Sequence, residues 1–82
     1  MFIMRKNTIK NYMDTLTSKV ILLKEDKRIL MYYGKNTSIT VHYIADGIYT
    51  IYGYIREKVF DYVNVQGVKE VKKVLNNLYW NI

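Results

Sequence analysis

The sequence predicts an α+β fold, with an N-terminal helix, an antiparallel β-meander of four to five strands, and a C-terminal helix packed on one face of the sheet. Three observations support it. Apolar residues have helical spacing near both ends, short apolar or alternating runs fill the middle, and charged or glycine-containing turns separate those runs. Because no proline, linker or repeat interrupts the chain, we expect residues 1–82 to form a single αβββββα domain.

The first helix is predicted over residues 8–18. Its apolar side chains recur at i, i+3, i+4 and i+7, which is the stripe of an amphipathic helix: Ile9, Tyr12, Met13 and Leu16. Asn7 or Thr8 is the expected N-cap, because either side-chain oxygen can accept a hydrogen bond from a free N–H group of the first turn.

Two strands of a hairpin are predicted next, over residues 19–24 and 28–33, with a charged turn at residues 25–27. Both strands are apolar on both faces, so we expect cover on both sides, by helices on one side and by a partner on the other. Residues 34–37 have turn chemistry and lead into the following strand, so the strands continue as a meander.

The most regular stretch is a hairpin over residues 39–55, whose register depends on the loop at Asp46 and Gly47. A two-residue loop would mix polar and apolar side chains on both faces, through the pairs Tyr43–Thr50 and His42–Ile51. We favour a three-residue loop that starts at Ala45, with Gly47 left-handed in a G1 bulge. It predicts the pairs Tyr43–Tyr49, Val41–Ile51 and Ile39–Gly53.

This register separates two faces of the hairpin. The first is a core face with Ile39, Val41, Tyr43, Tyr49, Ile51 and Ile55. The second is polar and aromatic, with Thr40, His42, Ile44, Ile48, Thr50, Tyr52 and Tyr54. A face of the second kind is typical of a binding surface and also of a sheet that a helix half covers.

A fifth strand is predicted over residues 59–65, where the sequence alternates. With Glu57 and Lys58 as its loop, Phe60 would face Ile55, and Tyr62 would cover Gly53.

The second helix is predicted over residues 68–80, with Gly67 before it as a hinge or cap. Its apolar stripe consists of Val68, Val71, Val74, Leu75 and Leu78. Its opposite side carries Lys69, Lys72, Lys73, Asn76 and Asn77.

Composition limits the class of protein. The chain has a formal net charge of +6, which favours acidic partners, but its basic residues are dispersed without a run of five. It has no cysteine, which fits a reducing cytoplasm. No apolar run approaches the ~20 residues of a membrane span, and residues 1–4 are too short for a signal-peptide core. We therefore expect a cytoplasmic protein that does not bind a membrane.

Catalytic chemistry is sparse in this sequence. His42 is the one histidine and has no carboxylate at a local spacing, while the carboxylates lie mostly in predicted turns and on exposed helix faces. The four glycines form no phosphate-binding motif, and no metal-ligand spacing occurs. We expect no enzymatic activity, no metal and no cofactor.

Binding has better support, because nine tyrosines exceed what one small core needs, and tyrosine is enriched at interfaces. The predicted partner-binding residues are Tyr52, Tyr54, His42, Thr50, Lys69, Lys73 and Trp80. Two alternatives stay open: the tyrosines could pack under a helix, and Trp80 could attach the C-terminus to the sheet instead of anchoring a partner.

The chain resembles the small phage-encoded inhibitors of host or defence machinery, anti-CRISPR proteins among them, in its size and helix–meander–helix architecture. The resemblance implies a non-enzymatic protein-binding module that inhibits a nucleic-acid-processing or defence complex in the host cytoplasm. We expect a protein partner with an acidic surface. Direct nucleic-acid binding through the same aromatic and basic surface is the alternative, and a second copy of the chain is a further potential partner.

Overall fold

The structure, a computed structural model, describes residues 3–81. It confirms the predicted α+β architecture. A five-stranded antiparallel sheet has the strand order β1-β2-β3-β4-β5, with one helix before it and one after it. In chain order the elements are α1 Lys6–Leu16, β1 Val20–Glu25, β2 Ile29–Gly34, β3 Thr37–Ala45, β4 Ile48–Ile55, β5 Lys58–Gln66 and α2 Gly67–Tyr79.

Both helices contribute to one hydrophobic core on one side of the sheet, which we call the inner face. From the helices come Ile9, Met13, Val71, Leu75 and Leu78. From the sheet come Leu30, Tyr32, Ile39, Val41, Tyr43, Tyr49, Ile51, Ile55 and Val65, among others. The predicted core face of the hairpin and both predicted helical stripes are therefore confirmed.

The register of the β3–β4 hairpin is the predicted one, but its turn is different. Tyr43 pairs with Tyr49, while Ala45 pairs with Ile48, so the loop has two residues and not three. Asp46 and Gly47 have φ values of 52° and 79°, the left-handed pair that matches the twist of a hairpin. A bulge between Tyr43 and Ala45 accommodates one extra residue, Ile44. Because of this bulge, the core face and the polar, aromatic face of the hairpin carry the predicted residues despite the shorter loop.

The β4–β5 loop is also one residue away from the prediction. Ile55 pairs with Lys58, so the loop consists of Arg56 and Glu57, and Arg56 has φ 58°. In consequence Phe60, and not Tyr62, lies opposite Gly53. The predicted pairing of Phe60 with Ile55 and the cover of Gly53 by Tyr62 are therefore wrong, because a shift of the loop by one residue along the chain changes every cross-strand pair.

The helix boundaries differ slightly from the sequence prediction. Helix α1 begins at Lys6 after Arg5, which makes no side-chain cap, so the predicted caps Asn7 and Thr8 lie inside the first turn. Gly67 is the first residue of α2, and its N–H donates to the Gly47 carbonyl oxygen at 2.8 Å. This bond ties the start of α2 to the β3–β4 turn.

Polar contacts also hold the helices in place. The Glu25 carboxylate at the end of β1 contacts Lys10 Nζ at 2.9 Å and Lys6 Nζ at 3.4 Å. The hydrogen bond from Lys10 is the main cause that holds the pKa of Glu25 below its usual range. Between the helices, Lys72 Nζ lies 5.4 Å from the centre of the Tyr12 ring.

Candidate binding surface

Within residues 3–81, no helix covers the side of the sheet opposite the inner face, which we call the outer face. Tyr52 and Tyr54 lie there with 37% and 43% of their surface exposed. Their accessibility, which the sequence left open, is thereby decided, and the alternative that these two tyrosines pack under a helix is wrong. Ile21 and Leu23 of β1 are exposed in the single chain, so the cover of β1 and β2 by a partner on one side stays a prediction.

Two rows of side chains cross the outer face. The first row runs across all five strands through Ile21, Tyr33, Ser38, Tyr54 and Val59. The second row runs in parallel through Lys24, Met31, Thr40, Tyr52 and Asp61. The outer face thus presents aromatic and aliphatic residues over most of its width.

The middle strand of this face is shielded by its neighbours. Thr40 retains only 3% of its surface exposed, although no helix lies over it. It pairs with Met31 on one side and with Tyr52 on the other, and side chains directly opposite in a sheet are close enough to cover a small one between them. The larger side chains therefore form a continuous layer, and the small polar residues of β3 lie beneath it.

His42 and Thr50 form the next cross-strand pair on the outer face, and both are half-buried. His42 pairs with Ile29 on its other side, so its ring borders an aliphatic side chain. In the described part of the chain, no three His, Cys, Asp or Glu side chains converge in a way that could hold a metal ion.

The other three predicted site residues lie elsewhere. Lys69, Lys73 and Trp80 belong to α2 or its C-cap, and α2 packs on the inner face. The seven predicted residues are thus divided between opposite sides of the sheet and cannot form one contact surface. Lys73 pairs with Glu70 at 3.3 Å. Trp80 is 76% exposed and contacts the neighbouring Tyr79 ring, so the alternative that it attaches the C-terminus to the sheet is wrong.

The structure also brings together basic residues that the sequence reasoning did not group. Lys19, Lys35 and Arg56 line a cleft of about 470 Å³ together with Asn36 and Thr37, and we call it the basic cleft. These residues come from the α1–β1 connection and from two turns. In a meander every second turn lies at the same end of the sheet, so the turn assignments alone could have predicted this cluster.

The basic cleft is built on a defined backbone contact. The Arg56 N–H donates to the Asn36 carbonyl oxygen at 2.6 Å and joins the β2–β3 turn to the β4–β5 turn. Thr37 Oγ1 donates to the Lys35 carbonyl oxygen at 3.0 Å. Across residues 3–81, neither Lys35 nor Arg56 has a carboxylate within salt-bridge distance. The cleft therefore concentrates positive charge.

Comparisons of the chain with family models, with curated proteins and with solved structures found no match. Among the described residues, neither helix is long and apolar enough to cross a membrane.

Proposed function

We propose that the protein is a non-enzymatic binding module that docks a protein partner with an acidic surface on its outer face. The observation that carries the proposal is the position of the helices, which both pack on the inner face and leave the exposed Tyr52 and Tyr54 on the opposite side. Tyrosine supplies a large contact area and a hydroxyl group with little loss of side-chain entropy, so such a face suits protein recognition.

The charge of the molecule supports an acidic partner. A formal net charge of +6 accelerates association with an acidic surface and opposes the pairing of two identical copies. Lys24 lies directly opposite Met31 in the second row of the outer face, so this face carries a positive charge of its own. The resemblance to small phage-encoded inhibitors supports the further proposal that the partner belongs to a nucleic-acid-processing or defence complex.

The test is affinity capture from the native host, with untreated and with nuclease-treated extract, followed by identification of the bound proteins in both and of the bound nucleic acids in the untreated one. Three forms are compared: the parent protein, a variant with Tyr52→Ala and Tyr54→Ala, and the control Trp80→Ala. Trp80 is an exposed aromatic residue beyond the inner-face helix, so its removal should not affect a partner on the outer face. We expect one acidic protein to bind the parent and the control and to be lost with the double variant.

The interaction is then measured with the purified partner. Removing two central tyrosines from an interface should weaken binding by about 2 kcal/mol or more, while circular dichroism shows an intact fold. An unfolded double variant would show that these tyrosines are structural, and retained binding would place the contact elsewhere. Light scattering at two concentrations tests self-association, and a stable dimer lost in the double variant would replace the acidic partner with a second copy.

A further inference from the structure

Two clefts adjoin at one end of the sheet, where the β2–β3 and β4–β5 turns lie, and we call this the turn end. The first is the basic cleft. The second, which we call the aromatic cleft, has a volume of about 900 Å³, and its lining includes Phe60, Tyr62, Lys58 and the carboxylate residue Glu57. Asn36 and Arg56 line both clefts, so the two clefts adjoin at these residues.

The basic cleft has the chemistry of a phosphate site. Lys35 and Arg56 come from two turns that the hydrogen bond from the Arg56 N–H to the Asn36 carbonyl oxygen joins. Neither has a carboxylate within salt-bridge distance across residues 3–81, so an anion in the cleft gains from both charges. No Asp or Glu lines this cleft among the described residues. Arg56 adds a planar guanidinium, which matches two phosphate oxygens at once.

The aromatic cleft has the chemistry of a base-stacking site. The Phe60 and Tyr62 rings lie 6.1 Å apart at an angle of 49°, and Tyr62 is 38% exposed. Both residues pair with inner-face positions of β4, and the end of α2 borders the same space through Leu78 and Asn81. Aromatic rings stack on nucleic-acid bases irrespective of sequence, because every base has a π-face. Asn36 provides an amide that can donate and accept hydrogen bonds where the two clefts meet.

We propose that the turn end binds single-stranded nucleic acid, with phosphates in the basic cleft and unstacked bases in the aromatic cleft. The inference goes beyond the docking of a protein on the outer face and uses mostly different residues. A duplex fits this site poorly, because its bases are already stacked internally and cannot enter the aromatic cleft. The proposed contacts involve phosphates and bases and do not distinguish ribose from deoxyribose, so both DNA and RNA serve as probes.

The test is fluorescence anisotropy with labelled dodecamers of deoxythymidine and of uridine, from 20 to 200 mM salt. The variant Lys35→Gln with Arg56→Gln removes two charges from the turn end. The matched control Lys27→Gln with Lys69→Gln removes two exposed charges at other places. We expect the turn-end variant to lose at least about tenfold in affinity at low salt and the control less than about twofold.

The salt dependence gives a second measurement. Each phosphate contact contributes about −0.7 to the slope of log K against log salt for a single strand, so the turn-end variant should lose about 1.4 from that slope. Equal losses in the two variants would show attraction by net charge alone and would overturn the proposal. No binding of either dodecamer at 20 mM salt would overturn it as well.

The tyrosines test the aromatic cleft. Tyr62→Ala should weaken dodecamer binding about tenfold, whereas Tyr52→Ala, on the outer face and outside the cleft, should leave it unchanged. Equal effects of the two variants would overturn the assignment of the cleft, as would a duplex that binds as tightly as the single strand. Circular dichroism of each variant checks that the fold is retained. Because Tyr52 belongs only to the protein-docking face, this pair also separates failure of the present proposal from failure of the proposed function.

Discussion

At the residue scale, tyrosines occur in two different environments in this protein, the buried core and the exposed outer face. Tyr32 and Tyr33 are neighbours in β2, yet the first is buried on the inner face and the second is exposed on the outer face, because successive side chains of a strand point to opposite sides. Burial is the largest cause that raises the pKa of Tyr32 to about 12, and the carboxylates of Asp14 and Glu25 act in the same direction.

This raised pKa predicts a loss of stability at alkaline pH. In the unfolded chain the Tyr32 hydroxyl ionises near its ordinary pKa of about 10, whereas in the folded protein it stays neutral to about 12. The stability that the neutral Tyr32 hydroxyl contributes to the folded protein is therefore complete below pH ~10. It is lost as the pH rises through ~12, and the loss in the free energy of unfolding reaches up to about 2.7 kcal/mol. Urea unfolding between pH 9 and 12 measures this loss.

The variant Tyr32→Phe isolates the contribution of that hydroxyl. It should lose less stability over this pH range than the parent, because the group that ionises preferentially in the unfolded chain is absent. Tyr33→Phe is the control and should behave as the parent, since Tyr32 is still present. Identical alkaline losses in Tyr32→Phe and the parent would contradict the prediction.

At the element scale, the β3–β4 hairpin depends on glycine at two places for different reasons. Gly47 has φ 79° in the turn, where a Cβ would meet nothing within 4 Å. Gly53 has φ 149° inside β4, where a Cβ would clash with the Ser38 carbonyl oxygen of β3. The turn therefore needs only the conformation of glycine, while the strand needs both its conformation and the missing side chain.

These two glycines predict unequal costs for the same substitution. Gly47→Ala should lower the free energy of unfolding by about 1 kcal/mol, the cost of a left-handed alanine. Gly53→Ala should lower it by about 3 kcal/mol or more, because β3 and β4 must separate to admit the methyl group. Urea denaturation gives both values, and similar costs at the two positions would refute the close approach of β3 to Gly53.

At the scale of the whole molecule, the sheet is covered on one side only. Both amphipathic helices bury their stripes on the inner face, and the outer face keeps aliphatic and aromatic side chains without cover from the chain itself. Surfaces of this kind mark contact sites in soluble proteins. The turn end adds a separate surface of positive charge. The molecule thus has two distinct regions suited to binding, the outer face and the turn end.

Because helices cover only the inner face, the same Ile→Val substitution should change the free energy of unfolding by different amounts on the two faces. Ile51→Val, at a fully buried position of the inner face, should cost about 1 kcal/mol of unfolding free energy through the cavity that it leaves. Ile21→Val, at a position 61% exposed on the outer face, should stay within about 0.5 kcal/mol of the parent. Denaturant midpoints report the difference, and a larger cost at Ile21 would show that the outer face is covered in solution.

Local patterns predicted most of the fold. The stripe of Ile9 and Met13 and the alternation of Val41 with His42 depend on side-chain periodicity, which each segment carries independently of the others. The positions of the turns were less predictable, because the bulge before Ala45 and the loop at Arg56 depend on how the two flanking strands pair. The candidate site was predicted in part: the exposed pair Tyr52 and Tyr54 follows from the hairpin register.

The sequence alone determined the types of the elements, their order and the two faces of the central hairpin, because period and turn chemistry are local properties of the chain. Only the tertiary structure decided which face the helices cover, and this separated Lys69, Lys73 and Trp80 from Tyr52 and Tyr54. It also decided that three basic residues from distant segments converge on one cleft. The physical reason is that helix docking and the meeting of turns arise from contacts between segments far apart in sequence, which no local pattern records.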